Sequence, residues 1–263
     1  MDFSATIELL RQSGTDTVPI GEEWTQGRPV FGGLVAALCV EPLMRGVPAE
    51  RLLRSVSVSF VAPVEPGDLA VSSRVLRQGR SVSQLAAEAV QGDATRALTV
   101  ASFGRPRASV AVMPSEPVPL VEAPEQIASI PYREGESRQF TQFFEYRYCI
   151  GSLPFTGATT RDMGGWIRFR DDSGLITPLQ LLGLIDAWPP ALLPLLNERA
   201  PSSSLTWFVE FVQPLPVIEA NDWLLYQATL DHARDGYGQT QARLWTPTGE
   251  LVALSRQTVA VFG

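Results

Sequence analysis

One carboxylate in this 263-residue chain stands where a carboxylate is unfavourable. Asp186 closes the run Leu181-Leu182-Gly183-Leu184-Ile185, and Ala187-Trp188 follow it. An ionised acid among such neighbours must be paired or wet, and burial raises its pKa toward the range in which a carboxylate works as a base. A bland role is open to it as well: Pro189-Pro190 end the segment, and an Asp there can cap a following helix. Gln257 is a second polar group out of place. It lies on a closing strand, Leu251 to Phe262, whose alternation puts it on the core-facing side with Leu251, Ala253, Val259 and Val261. A buried amide needs partners. Ser204 and Thr206 share one side of another strand by the same alternation. Hydroxyls at strand starts also serve as plain turn groups.

The remaining inventory excludes much. All 21 basic residues are Arg, which removes lysine Schiff-base chemistry and a phosphate-loop lysine. A single histidine, His232, excludes a multi-histidine metal site, and its place beside Asp231 at a strand end reads as solvated. Cys39 and Cys149 have no metal spacing and read as small buried hydrophobes in a reducing cytoplasm. No metal and no cofactor are expected. The net charge of −7 disfavours nucleic acid as a partner. With no basic amphipathic or signal-like segment at its start, no export signal is expected, and the longest apolar helical stretch, Leu34 to Met44, is broken by Glu41 and Pro42. That is far short of the ~20 apolar residues of a membrane span.

The elements that must position these residues occur twice. Val56, Val58, Phe60 and Pro63 match Trp207, Val209, Phe211 and Pro214, each a period-two strand ended by a proline. Strands then follow at Leu69 to Arg77, Ser83 to Val90 and Arg96 to Phe103, with turns at Gln78-Gly79-Arg80-Ser81 and Gln91-Gly92-Asp93. Their counterparts are Trp223 to Leu230, Gln239 to Trp245 and Leu251 to Phe262, with turns at Ala233 to Tyr237 and Thr246 to Gly249. The endings Val100-Ala101-Ser102-Phe103-Gly104 and Val259-Ala260-Val261-Phe262-Gly263 nearly coincide, which sets Gln257 opposite Leu98. Ahead of each meander stands an apolar helix, Gly33 to Met44 and Thr177 to about Ala187, the second with Thr177 as N-cap and Pro178 at its first position. Asp186 falls near Cys39 in this alignment, so the first repeat lacks both polar groups. Further strands are expected near Trp24, over Phe140 to Tyr148 and over Trp166 to Phe169. A helix apolar all round must be buried, so each sheet is expected to wrap one central helix. The proline-rich stretch from Arg105 to about Arg138 reads as a linker. The expected units are 1–104, a linker 105–138, and 139–263.

These residues together resemble the acyl-CoA thioesterase II family, an α+β double-hotdog fold. The likeness rests on Val30-Phe31-Gly32-Gly33, Ser57-Val58-Ser59-Phe60 with Pro63, and Arg77-Gln78-Gly79-Arg80-Ser81. In the second repeat it rests on Ser204-Leu205-Thr206-Trp207-Phe208 through Pro214, Asp222 to Tyr226, Gly249 to Ala253, and Gln257. The resemblance implies hydrolysis of an acyl-CoA thioester by an acid on the second helix, a hydroxyl at a strand start and a glutamine on the last strand. These fall on Asp186, Ser204 and Gln257. Many members carry an Asp-His pair just after the hydroxyl, where this chain has Thr206-Trp207, so Thr206 is an alternative to Ser204. Asp186 would act as general base on a water that Gln257 and Ser204 orient. Backbone N–H groups at a helix start would hold the oxyanion: Gly32 and Gly33 leave donors open in the first repeat, whereas Pro178 offers none. The resemblance also implies a homodimer or larger assembly. Rival readings are a hotdog dehydratase, for which His232 is badly placed, a non-catalytic acyl-CoA-binding module, and a structural protein.

Overall fold

In the computed structural model, which describes residues 1–262, the two repeats join edge to edge in one antiparallel sheet of eleven strands. The first repeat supplies β1 (Thr17–Ile20), β2 (Leu52–Phe60), β3 (Gly67–Gln78), β4 (Val82–Gln91) and β5 (Ala94–Gly104). The second supplies β6 (Phe144–Gly151), β7 (Asp162–Phe169), β8 (Ser202–Phe211), β9 (Leu224–Arg234), β10 (Tyr237–Trp245) and β11 (Leu251–Val261). Their order across the sheet is β1-β3-β4-β5-β2-β8-β11-β10-β9-β7-β6. Gly263, the last residue of the matching endings, lies outside the described residues.

The two halves meet where β2 pairs β8, with Val56 opposite Val209 and Val58 opposite Trp207. All four are buried, because alternation turns them to the same inner face. This register corrects one expectation. A local two-fold through the Ser57–Phe208 pair makes Val56 the counterpart of Trp207. Their strand partners, Ala101 and Gln257, are therefore counterparts too. Leu98 is not the equivalent of Gln257; it points outward and is 46% exposed. The matching endings mislead because register shifts interrupt the β5 and β11 ladders at different places.

Helix α1 spans Phe3–Gln12, α2 spans Gly32–Arg45 and α3 spans Pro178–Asp186. As their apolar composition requires, α2 is buried from Gly33 to Leu43 and α3 from Leu179 to Ile185, and the two pack against each other inside the sheet. Glu41 and Pro42 do not end α2. Glu41 is buried but held by Arg11 Nε at 3.0 Å and Arg45 Nε at 2.8 Å, so its charge is paired. Thr177 caps α3 in a reciprocal box with Gln180, and Pro178 opens the helix as expected.

Two strand expectations shift. Trp24 lies in a 3₁₀ turn, Glu22–Trp24, and the strand comes earlier, at Thr17–Ile20. Phe140 likewise belongs to a 3₁₀ turn, Gln139–Phe143, ahead of β6. In both places apolar residues imitate strand alternation while their rings stack: Trp24 on Phe143 at 4.1 Å and Phe31 on Phe140 at 4.3 Å. Residues 105–138 hold one short 3₁₀ turn, Pro124–Gln126, and an isolated bridge from Ile130 to Tyr146. They lie against the second repeat through bonds from Trp166 Nε1 to the Glu122 carbonyl and from Arg147 to the Pro124 and Ile127 carbonyls. Among the described residues, no helix is long and apolar enough to cross a membrane.

Candidate active site

Asp186 is the last residue of α3, and the packing of α3 on α2 delivers it to the first turn of α2. Its Oδ2 lies so close to Gly32 that a Cβ there would approach to 2.9 Å, with the Phe60 ring at 3.3 Å on another side. Gly33 is equally confined, since a Cβ would meet the Phe31 ring at 2.5 Å and the Leu182 carbonyl at 3.0 Å. The two glycines let the helices close on each other and leave room at the carboxylate. The Gly33 N–H bonds to Asp186.

From the sheet side, Gln257 on β11 meets the same carboxylate. Its Nε2 donates to Asp186 Oδ1 at 3.0 Å and to Ser204 Oγ at 2.8 Å. Both amide protons are thereby committed, so the Ser204 O–H proton is free to be donated elsewhere. Asp186 as a residue is only half-buried, but its carboxyl is enclosed. Burial pushes its pKa up to about 6, against the opposing bonds from Gln257 and Gly33.

Three of the four predicted residues therefore meet: Asp186, Ser204 and Gln257. Thr206 does not. Simple alternation puts Ser204 and Thr206 on one side, but the β8–β11 register slips between Thr258 and Val259. Thr258 faces Thr206 and Val259 faces Ser204, leaving Leu205 as the extra residue of a bulge. The bulge turns Ser204 in toward Gln257, while Thr206 stays exposed on the outer face. There it lines a depression with Ser57, Phe208, Arg256 and Thr258, to which the neighbouring strand residues Trp207 and Gln257 also contribute.

Gly32 and Gly33 also lie at the site, but the Gly33 N–H is taken by Asp186, so it is not the open donor that was expected. The opposite helix start is closed, since Thr177 Oγ1 accepts the Leu179 N–H at 3.2 Å and Gln180 Oε1 accepts the Thr177 N–H at 3.1 Å. His232 is exposed and lies across β10 from Thr258, Cys39 is buried in α2 and Cys149 is half-buried.

Sequence reasoning missed an aromatic group beside the carboxylate. Trp188 stacks on Tyr226 at 5.1 Å and meets Tyr146 at 5.6 Å and Tyr148 at 4.8 Å. Burial raises the pKa of Tyr146 and Tyr226, and the nearby Asp186 charge adds to both shifts. The signal was there in Tyr146 and Tyr148, two apart on one strand face, and in Trp188 two residues past the acid.

The family described as the acyl-CoA thioesterase N-terminal domain matches residues 20–104, and the acyl-CoA thioesterase C-terminal domain matches residues 124–261. The chain belongs to the acyl-CoA thioesterase family. Its members are thioester hydrolases built as double hotdogs, and the sheet and paired helices above have that form. Acyl-CoA thioesterase 2 of Haemophilus influenzae is 26% identical, over 95% of this chain and 94% of the relative. A hot dog fold protein of unknown function from Alicyclobacillus acidocaldarius superposes with a TM-score of 0.84 at 21% identity, over 94% of this chain and 92% of that one. Acyl-CoA thioesterase II TesB2 of Mycobacterium marinum gives 0.70 at 19% identity, over the same 94% and 92%. At these identities the structural likenesses speak for the fold.

Proposed function

We propose that this thioesterase hydrolyses an acyl-CoA to the free acid and CoA, with Asp186 as general base toward water and Gln257 and Ser204 as the groups that orient that water. The observation that carries this reading is the amide of Gln257 bridging Asp186 Oδ1 and Ser204 Oγ. Asp186 takes a proton as the water oxygen attacks the thioester carbon. The carbonyl oxygen gains the charge, and the first turn of α2 is the nearest source of backbone donors and positive helix-end potential. As the C–S bond breaks, the proton on Asp186 passes to the departing sulfur. Gly32 keeps any Cβ off the carboxylate, where one would come within 2.9 Å of Oδ2.

Thr206 drops out of the reaction because it faces away from the other three. The setting we propose is cytoplasmic fatty-acid metabolism, supported by two unpaired cysteines in the chain. A homodimer is supported by Leu98, Val100 and Phe208, which leave the outer face of the sheet 46%, 42% and 41% exposed at those positions.

The experiment is release of free CoA thiol from acyl-CoAs of increasing chain length by the parent and by Asp186→Asn. Release that falls by about 10³-fold or more in the variant supports the base assignment. Full turnover by the variant sinks it. Binding without release by the folded parent would make the protein an acyl-CoA-binding module.

A further inference from the structure

The first repeat ends its sheet in a basic corner, at the end of β2 opposite Phe60 and the Asp186 group. β1 pairs only the start of β3, from Gly67 to Ala70, so Ser72 to Gln78 form a free edge on which every residue is exposed. That edge carries Arg74 and Arg77, and the turn after it carries Arg80. β5 leaves the sheet beside this turn through Arg105 and Arg107, with the Arg105 N–H on the Ser81 carbonyl at 3.0 Å. All five arginines are exposed, and among the described residues none lies within ion-pair distance of an acid. The sequence holds no Asp or Glu from 69 to 87 or from 94 to 115. In a chain of net charge −7 this is a local surplus of positive charge without compensation.

Apolar side chains stand among the arginines. Helix α2 ends at Gly46 against Leu85, and Val75, the strand partner of Leu85, lies beyond the helix and is exposed. Leu76, the extra residue where the β3–β4 register shifts, is exposed too, as is Val82 after the turn. From Arg107 the chain runs on to Val110, Val112 and Met113, each at least 85% exposed. A free edge is commonly guarded by charge and by a bulge, which accounts for Arg74 and Arg77. Guarding does not account for apolar residues left in water at the same place, nor for Arg80, Arg105 and Arg107, which lie off the edge. Arg74 and Arg77 stand about 10 Å apart along the strand, a spacing that suits separate phosphates rather than one. A soluble polyanion would satisfy the arginines and leave the apolar side chains wet. An anionic lipid interface takes both.

We propose that this corner docks on an anionic lipid surface, with the five arginines on headgroup phosphates and Leu76, Val75 and Val82 entering the interface. The docked protein lies on the bilayer and does not cross it. The inference stands apart from the thioester reading, since docking is read without turnover.

The test is sedimentation of the full chain with vesicles of phosphatidylcholine alone and of phosphatidylcholine with an equal part of phosphatidylglycerol. Partitioning onto the anionic vesicles is expected to exceed that onto the neutral ones by about ten-fold or more and to weaken as salt is raised. One basic residue near an anionic surface is worth about five-fold in partitioning, so Arg77→Gln, Arg80→Gln and Arg105→Gln together are expected to lower it about 100-fold. Arg80→Gln alone, at about five-fold, decides if the triple variant does not fold. Leu76→Ser with Val82→Ser is expected to lower partitioning about ten-fold. Inorganic phosphate at matched ionic strength is expected not to release the protein. Equal partitioning onto both vesicles, none onto either, or partitioning that the arginine variants keep overturns the inference. Partitioning kept in full by the serine variant, or release by inorganic phosphate, would make the corner a site for soluble anions and overturns it as well.

Discussion

Asp186 is held in a form its surroundings oppose, and that opposition has two measurable consequences. A base must be ionised, and burial has pushed this one up to about 6. Hence kcat/KM is expected to rise ten-fold per pH unit below about 6 and to level off above it, read from initial rates between pH 4.5 and 8. The second consequence is for stability. The folded pKa exceeds the ordinary aspartate value of 3.8, so between those values the folded protein binds a proton that the unfolded chain releases. Stability contributed by that proton is present below about pH 4 and lost as pH rises through 6. At pH 8 the ionised group therefore destabilises, by at most about 3 kcal/mol for a shift of this size. Asp186→Asn is expected to melt above the parent at pH 8, with the gap closing toward pH 4. A lower melting temperature for the variant at pH 8 would mean that Gln257 and Gly33 stabilise the ionised form more than burial opposes it. The hydroxyls separate as cleanly. Ser204→Ala is expected to lose about 10–100-fold in kcat, since it removes the O–H that Gln257 orients. Thr206→Val, on the exposed face, is expected to stay within about two-fold. The opposite order would contradict the bulge.

That bulge shows what strand periodicity can and cannot predict. Period two located β8 and β11 and placed Trp207, Val209, Ala253 and Val259 inside, because burial of one face enforces it. It could not foresee the extra residue at Leu205, which depends on how β8 meets β11 rather than on either strand alone. Helix ends were more legible. Thr177 and Pro178 marked the start of α3, to which the structure adds Gln180 as the third member of a capping box, whereas the Gly32-Gly33 entry to α2 gains its meaning only from the helix it touches. Trp24 and Phe140 misled for a related reason, as aromatic stacking buries residues in turns as effectively as in strands. The role of Gly32 can be tested at this level. Alanine is intrinsically better than glycine in a helix, by up to about 1 kcal/mol. Here its Cβ would press on Asp186 Oδ2. Gly32→Ala is therefore expected to reduce kcat about ten-fold or more while leaving the melting temperature close to that of the parent. Loss of both together would mean that the helices themselves had been forced apart.

The molecule repeats a fold without repeating a site. The local two-fold at β2 and β8 carries Gln257 onto Ala101, a residue that can neither donate to a carboxylate nor orient water. It exchanges the start of α2, which no side chain caps and where Asp186 accepts the Gly33 N–H, for the start of α3, where Thr177 and Gln180 occupy the first donors. Helix α1 then lies over that end. Phe3 is fully buried against Gly183 and Phe169, Ser4 Oγ donates to Asp172 at 2.8 Å, and Gln180 Nε2 donates to Ser4 Oγ at 2.9 Å. Arg11 of the same helix pairs Glu41, the buried acid of α2. The counterpart of Gln257 is thus absent, and the first donors at the start of α3 are engaged by its own cap. The first repeat's part in the surviving centre is the start of α2 and the Phe60 ring, so neither repeat holds a complete site by itself. Calorimetry with a non-hydrolysable thioether analogue of a short acyl-CoA is therefore expected to saturate at one molecule per chain. Two molecules of similar affinity per chain would mean that α1 yields to ligand and that the capped end of α3 still binds.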